Sequence, residues 1–361
     1  MLSGVEWGEY RIGDLFEVKG TLSFNKEALV SGDEYDYVTR TSQNQGILQT
    51  TAFVNKENLN EAGTWSLGLL QMDFFYRQRQ WYAGQFVRKV VFKGSLPNGS
   101  ISFFTTVLNA LKPKLLSVLV RDVNKTFLDS YVQLPTRDGK IDFMFMERFV
   151  AVLKAQRVAE LKAYLIVTGL SDYTLTPEEQ QAIQHFQEGN LQWGDYRLGD
   201  LFGEATRGKR LKSDDRIAGS LPFVTAGEAE TGVSAFIGNS VEVFPANTIT
   251  IDMFGSTKYR NYSYGADDHV AVVHTQALPK HAVCFITTAI HKVANAGAFH
   301  YGRNFYAKDA APLHISLLSR SGEPDYTQME TFIRAIEKLV IRDVVLYADR
   351  ELAATQQVIN Q

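Results

Sequence analysis

The sequence predicts an α+β fold: two β-rich globular domains related by pseudo-twofold symmetry and separated by an antiparallel pair of long helices. Three observations predict it. Trp7 to Phe16 (WGEYRIGDLF) returns as Trp193 to Phe202 (WGDYRLGDLF), identical at eight of ten positions and offset by 186 of the 361 residues. Leu134 to Val150 matches Leu317 to Ile333 at seven of seventeen positions, offset by 183. Each half also ends by exchanging short β-type runs for an apolar stripe at spacings of three and four. A repeat this long means tandem domains, not a solenoid. The middles, roughly 50–130 and 235–315, align poorly, so the ends of each half are held fixed while the middles diverge.

The first domain is expected over residues 1–141. Gln85 to Phe92 and Ile101 to Val107 read as strands, broken by turns at Pro97-Asn98-Gly99 and Arg137-Asp138-Gly139. Residues 142–188 hold a long helix and a short one. The long helix, about Phe143 to Leu165, carries Met146, Phe149, Val150, Leu153, Val158, Leu161 and Leu165 at helical spacing and stops near Gly169. Thr176-Pro177-Glu178-Glu179 is a capping box with proline at the first helical position, opening a helix to about Phe186. The second domain, 189–324, is strand-like from Ile217 to about Leu318. The last segment, 325–361, is a second long helix from Tyr326, with Met329, Phe332, Ile336 and Val340 on its stripe. Neither stripe is stable alone. The pairing residues are therefore expected to be Met146, Phe149, Leu153 and Leu161 against Met329, Phe332, Ile336 and Val340.

Composition is that of an ordinary globular protein, with 45% hydrophobic and 21% charged residues and a net charge of −3. That balance does not advertise nucleic-acid binding, although a local basic face is what phosphates feel. The single cysteine, Cys284, excludes an internal disulfide framework and suits a reducing compartment. No apolar run reaches the length of a membrane span, and the first residues lack signal-peptide regions. A cytoplasmic protein with no membrane partner is expected.

No catalytic constellation stands out. There is no P-loop, HExxH, GxSxG or paired CxxC, and the histidines have no metal-ligand spacing, so no cofactor and no metal are expected. Cys284 lies in an apolar run and reads as a packing residue. Asp267-Asp268 reads as a solvated turn.

The divergent segments combine basic, aromatic and amide side chains. Phe74 to Tyr82 (FFYRQRQWY) offers Arg77, Arg79 and Trp81; Phe254 to Tyr264 (FGSTKYRNYSY) offers Lys258, Tyr259 and Arg260. Arginine and lysine suit phosphates or guanine, amides suit adenine, and aromatics stack. Otherwise these aromatics simply cover a sheet edge. Thr39 to Gly46 (TRTSQNQG) supplies Arg40, Thr41, Ser42 and Asn44 to DNA, or is a plain turn; its counterpart, Thr225 to Gly232, reads as a turn. Arg207 to Lys212 (RGKRLK), with Arg207, Lys209 and Arg210, is a solvated face or a phosphate-positioning run. Lys19 and Arg303, the latter in NAGAFHYGRNF, complete the candidate DNA contacts.

These residues carry a resemblance. WGEYRIGDLF and WGDYRLGDLF opening each half, then YVTRTSQNQG and PFVTAGEAETG, TITIDMFGSTKYRNYSYGADDHVAVV, LPTRDGKIDFMFMERFV and AYLIVTGLSDYTLTPEE follow family order over most of the chain. The chain resembles the DNA-specificity (S) subunits of type I restriction-modification systems, or the related type IIB S subunits. The resemblance implies two target recognition domains, each reading one half of a bipartite double-stranded DNA site about one helical turn apart. It implies helices that space the domains and dock methyltransferase (modification) subunits, and through them a restriction subunit. It implies no catalysis by this chain. In the first half LGLLQMDFFYRQRQWYAGQF stands where the second has ITIDMFGSTKYRNYSYGADD, so the usual glycine turn is lost there. The rival reading is an adaptor or decoy that binds methyltransferase or restriction subunits and reads no DNA.

Overall fold

The computed structural model describes residues 4–359. The chain divides into two compact units, Met1–Tyr164 with Tyr347–Gln361, and Leu165–Leu346. The same plan is built in each.

Each unit opens with the repeated decapeptide as an edge strand. Glu6–Arg11 pairs antiparallel with Tyr131–Arg137, and Trp193–Arg197 pairs with His314–Arg320. The chain then turns sharply inward at Ile12 and Leu198, whose amides donate to the Ser130 and Leu313 carbonyls at 2.8 Å. The following glycine is required by close approach. A Cβ on Gly13 would lie 2.8 Å from the Leu128 carbonyl oxygen, and one on Gly199 would lie 3.0 Å from that of Ala311.

In unit one a four-stranded antiparallel sheet follows, in the order Phe16–Gly20, Val87–Phe92, Thr64–Gly68, Phe74–Arg77. A second sheet sets Tyr35–Val38 between Ile47–Thr51 and Trp81–Ala83, the latter pair parallel. Unit two repeats both. Its first sheet is Thr206–Arg207, Val270–Val273, Thr248–Asp252, Thr257–Arg260; in its second, Ala218–Val224 lies between Val233–Ile237 and Gly265–Ala266. The equivalence holds to the residue: Val38 lies opposite Ala83 and Val224 opposite Ala266.

The sheets pack on helices that the sequence reading missed. Ile101–Ala110 is helical, not a strand, and Lys280–Ala294 is a 15-residue helix inside the segment expected to be strand-like. Period overrides β propensity in both. Ile101, Phe104, Leu108 and Leu111 fall on one helical face, as do Ala282, Val283, Ile286, Ile290 and Ala294. The two cores are separate. The first gathers Ile12, Phe16, Trp65, Phe74, Phe104 and Phe127; the second gathers Leu198, Ile249, Ile251, Val283, Ile286 and Leu317.

The second repeated segment is a launching device for each long helix. Asp138-Gly139 and Ser321-Gly322 all have positive φ, forming two-residue hairpin turns. Asp142 and Asp325 then cap the helices, each accepting a 2.9 Å bond from the amide three residues on. Arg137 and Arg320 brace those carboxylates at 2.9 and 2.7 Å. The matched residues of this segment thus include the turn glycine, the cap, its brace and the first buried methionine.

The long helices run Phe143–Val167 and Tyr326–Ile359, and the capping box at Thr176 and Glu179 is formed, opening Pro177–Gln187. The expected pairing residues need correction. Met146 and Met329 are buried in the cores of their own units. Phe149 packs on Phe103 at 6.2 Å and on Phe145 at 5.8 Å; Phe332 packs on Phe186 at 4.9 Å. Leu161 is half-buried, while Leu153, Ile336 and Val340 are exposed. The first turns of each helix serve their own domain, which uses up the large apolar residues. Within unit one, buried Ala151 and Val158 belong to the first helix and buried Ala348 and Thr355 to the second, each pair seven residues apart. Lys162 pairs with Asp349 at 2.7 Å and Lys154 with Glu351. Stepping back eight residues on one helix advances two on the other, an antiparallel sense.

Candidate nucleic-acid interface

A cleft opens at the same place in each unit, beside the parallel strand pair. In unit one it is about 620 Å³ and is lined by Asn25, Lys26, Thr39, Arg40, Thr41, Gln71 and Gln85. In unit two it is about 680 Å³ and is lined by Arg210, Lys212, Arg216, Thr225, Asp267, His269, Tyr301 and Asn304. Thr39 and Thr225 occupy equivalent floor positions, and each donates its amide to the glycine that closes its loop, Gly46 at 2.8 Å and Gly232 at 2.9 Å. Both loops have two consecutive left-handed residues before that glycine, Asn44 and Gln45, then Glu230 and Thr231. So the loops share a backbone and differ in chemistry. The first is amide- and hydroxyl-rich; the second is small and acidic.

The loop is held from beneath by a buried arginine. Arg77 and Arg260 are 2% exposed. Arg77 Nε donates to Ser66 Oγ and Arg260 Nε to Thr250 Oγ1, both at 2.9 Å. Arg77 Nη2 also donates to the Gln45 carbonyl. Arg260 Nη1 donates to Tyr262 Oη at 3.0 Å, and its Nη2 lies beside Gly232. Burial lowers the Arg77 pKa to about 10, against the opposing pull of Asp36. Neither guanidinium faces solvent, which corrects their placement among DNA contacts. Both close a hairpin, Thr64 opposite Arg77 and Thr248 opposite Arg260, where the last residue points inward.

The other sequence candidates divide. Arg40, Thr41 and Arg210 line the clefts, with Arg207 and Lys209 exposed close to Arg210 in sequence. Ser42 is exposed and donates to Asp73; exposed Asn44 closes its own loop through the Ile47 carbonyl at 3.2 Å. Arg79 is exposed but tied to Asp36 and to the Asp33 carbonyl. Lys19 pairs with Glu17 at 2.5 Å, and Arg303 is exposed over the Phe299 ring. Trp81 is wholly buried, which removes it from the interface. Tyr259 packs against the second core, and Lys258 bonds Ser256 Oγ at 2.8 Å and pairs with Glu228 at 3.3 Å and Asp252 at 3.8 Å. Lys258 and Tyr259 therefore serve the hairpin.

Asp267-Asp268 does enter a turn, but a half-buried one. Asp267 is half-buried in the second cleft, and that burial raises its carboxyl pKa. With His269 these carboxylates form a group whose ligand atoms lie within 4.8 Å of one another. His269 Nδ1 already lies 2.9 Å from Asp268 Oδ1. Cys284 is half-buried on its helix, and burial pushes its thiol pKa up, away from the thiolate that nucleophilic chemistry needs. No helix among the described residues is long and apolar enough to cross a membrane.

Residues 4–163 match the family model described as the type I restriction modification DNA specificity domain. The specificity subunit S.BcgI of a type II restriction enzyme from Heyndrickxia coagulans is 23% identical over 349 residues, covering 93% of this chain and 96% of that protein. Among solved structures, the S subunit of a type I restriction-modification system from M. genitalium has the same fold, with a TM-score of 0.60 at 14% identity, covering 99% of this chain and 95% of its own. Unit two repeats the plan of the matched unit, except for the short edge strand Leu59–Asn60 that only unit one adds to its second sheet. Residues 4–163 therefore carry a type I restriction modification DNA specificity domain, and the chain as a whole is similar, over nearly all its length, to a restriction-enzyme specificity subunit.

Proposed function

We propose that this chain reads a bipartite double-stranded DNA site, one half with each cleft, and takes no part in the chemistry itself. The observation that carries this reading is the pair of equivalent clefts on one repeated scaffold, with the same loop backbone and different linings. Selection for a common ligand would keep linings alike; selection for two different half-sites lets them diverge. Exposed lysines and arginines around the clefts set register on phosphates, and the linings choose bases.

Methyl transfer and cleavage fall to partner subunits docked on the remaining repeated surface. Trp7 and Trp193 support this, because residues repeated only for packing would be buried, yet these are 42% and 51% exposed. In unit two Trp193 borders a cavity of about 680 Å³ with Phe285, Phe332 and His314, a mostly apolar seat for a methyltransferase surface. The long helices set the gap between half-sites.

The test is selection from a randomised duplex library by the full chain, alone and in the complex isolated from its host. Enrichment of two short sequence blocks at a fixed gap, with affinity falling as salt rises, is the expected result. A library that emerges unenriched from both preparations overturns the reading.

A further inference from the structure

Unit one gathers its backbone strain around its cleft. Asn44, Gln45, Met72 and Phe86 hold φ values of 46°, 53°, 56° and 61°, in the left-handed region that side chains other than glycine disfavour. The remaining such residue in this unit, Asp138, belongs to the hairpin turn. Phe86 is the costliest of them, since a bulky residue there is an outlier that only surrounding structure can maintain. Its carbonyl accepts from the Leu69 amide at 2.9 Å, which pins the tip. Its ring nevertheless stays 51% exposed. A phenylalanine that is both strained and half in water gains nothing for folding.

The ring has one evident companion. The Arg40 guanidinium carbon sits 5.1 Å from the Phe86 ring centroid. The root of Arg40 is fixed, because a Cβ on Gly68 would lie 2.9 Å from the Arg40 Cα. Arg77 and Arg79 spend their donors on protein acceptors. Arg40 lines the cleft, and its guanidinium is set by a ring instead of by an acid. A guanidinium held over a ring keeps its fork of N–H donors in plane, and that fork matches guanine O6 and N7.

We propose that the Arg40–Phe86 stack is the specificity determinant of unit one. Arg40 donates two hydrogen bonds to the major-groove edge of one guanine, and Phe86 fixes the plane of the fork. This deepens the DNA-reading function and rests on it. Unit two carries no counterpart at these positions, since Ala226 and His269 stand where Arg40 and Phe86 would be; the arginine over a ring in its cleft, Arg216 at 5.1 Å from Phe223, is tied to the Leu211 carbonyl and Ser234 Oγ. The guanine requirement therefore belongs to one half-site only, and the other half-site is an internal control.

Selection from the randomised duplex library, by the full chain alone and in its host complex, tests the stack. Arg40→Ala is expected to flatten one guanine column in one block, lowering guanine preference there by about tenfold or more. Arg40→Lys keeps the charge without the fork and should flatten the same column. Phe86→Gly should flatten it too, while its melting temperature stays level or rises as the left-handed strain is relieved. The other block stays unchanged throughout. The proposal is overturned if Arg40→Ala weakens binding to all sequences alike, the mark of a phosphate contact. It is overturned equally if the motif survives these variants, or if Phe86→Gly melts earlier and keeps the guanine column. A parent chain that enriches no motif removes the underlying DNA reading instead.

Discussion

Replacing Arg77 by methionine should loosen the loop 39–46 without unfolding unit one. The side chain makes two hydrogen bonds from a buried guanidinium, to Ser66 Oγ and to the Gln45 carbonyl. Each hydrogen bond to a charged group contributes on the order of 1.5–3 kcal/mol. Against that stands the cost of burying the charge. The fall in pKa from its ordinary value to about 10 corresponds to roughly 3 kcal/mol at about 1.4 kcal/mol per unit. Methionine removes the cost along with the bonds and fills similar volume, so the global terms largely cancel. The local term does not. Loss of the Gln45 bond removes about 1.5–3 kcal/mol from loop closure, a factor of about 10 to 150 in its opening constant. Hydrogen exchange on a peptide spanning 39–46 should show at least a tenfold loss of protection, with the loop 225–232 unaffected. Unchanged protection in that peptide, or global unfolding of unit one, would refute the reasoning.

Three further outcomes follow from other features. Lys338 sits between Glu179, at 3.0 Å and itself buried, and Asp172 at 3.2 Å; burial opposes its charge, but these carboxylates raise its pKa overall. Lys338→Met strands Glu179 and should cost about 3–5 kcal/mol, seen as a calorimetric drop of roughly 6–20 °C; recovery in Lys338→Met/Glu179→Gln is required, and a parent-like single variant would sink the idea. Asp267 has a folded pKa above its unfolded one, so its native state holds the proton more tightly and its penalty is felt above the folded pKa. Asp267→Asn should therefore melt later than the parent at pH 7, with the gain fading as pH falls through the raised folded pKa and gone below about 4; a gain that persists at pH 3 contradicts it. Adding one heptad to each long helix should widen the gap between the selected sequence blocks and leave their bases alone, and an unaltered gap would end the spacer proposal.

Much of this architecture is legible because the repeat marks what each fold needs. Gly13 and Gly199 recur because no Cβ fits; Asp142 and Asp325 recur because each caps a long helix. The capping box at Thr176 is readable because its residues, Thr176 and Glu179, lie only three apart. The helices Ile101–Ala110 and Lys280–Ala294 are harder, because Ile, Phe, Val and Thr favour strands and only the buried face decides. Arg77 and Arg260 mislead for another reason. A basic residue among aromatics reads as an outward contact, yet hairpin register turns both inward onto Ser66 and Thr250. The signal that identifies them is relational: an arginine closing a hairpin, with a hydroxyl at the same place on the facing strand in both halves. Phe86 carries no such sign, since its interest lies in a dihedral angle.

The grip of Arg77 on the loop falls on the main-chain oxygen of Gln45, not on any side chain of the loop. An anchor of that kind is blind to what the loop displays. Residues 40–45 can be rewritten, so long as the chain still bends there, with no loss of the tether that keeps them in place. On the DNA-reading function proposed above, the unit would thereby be a socket for interchangeable readers, with new target preferences reachable through short substitutions that leave the interior untouched.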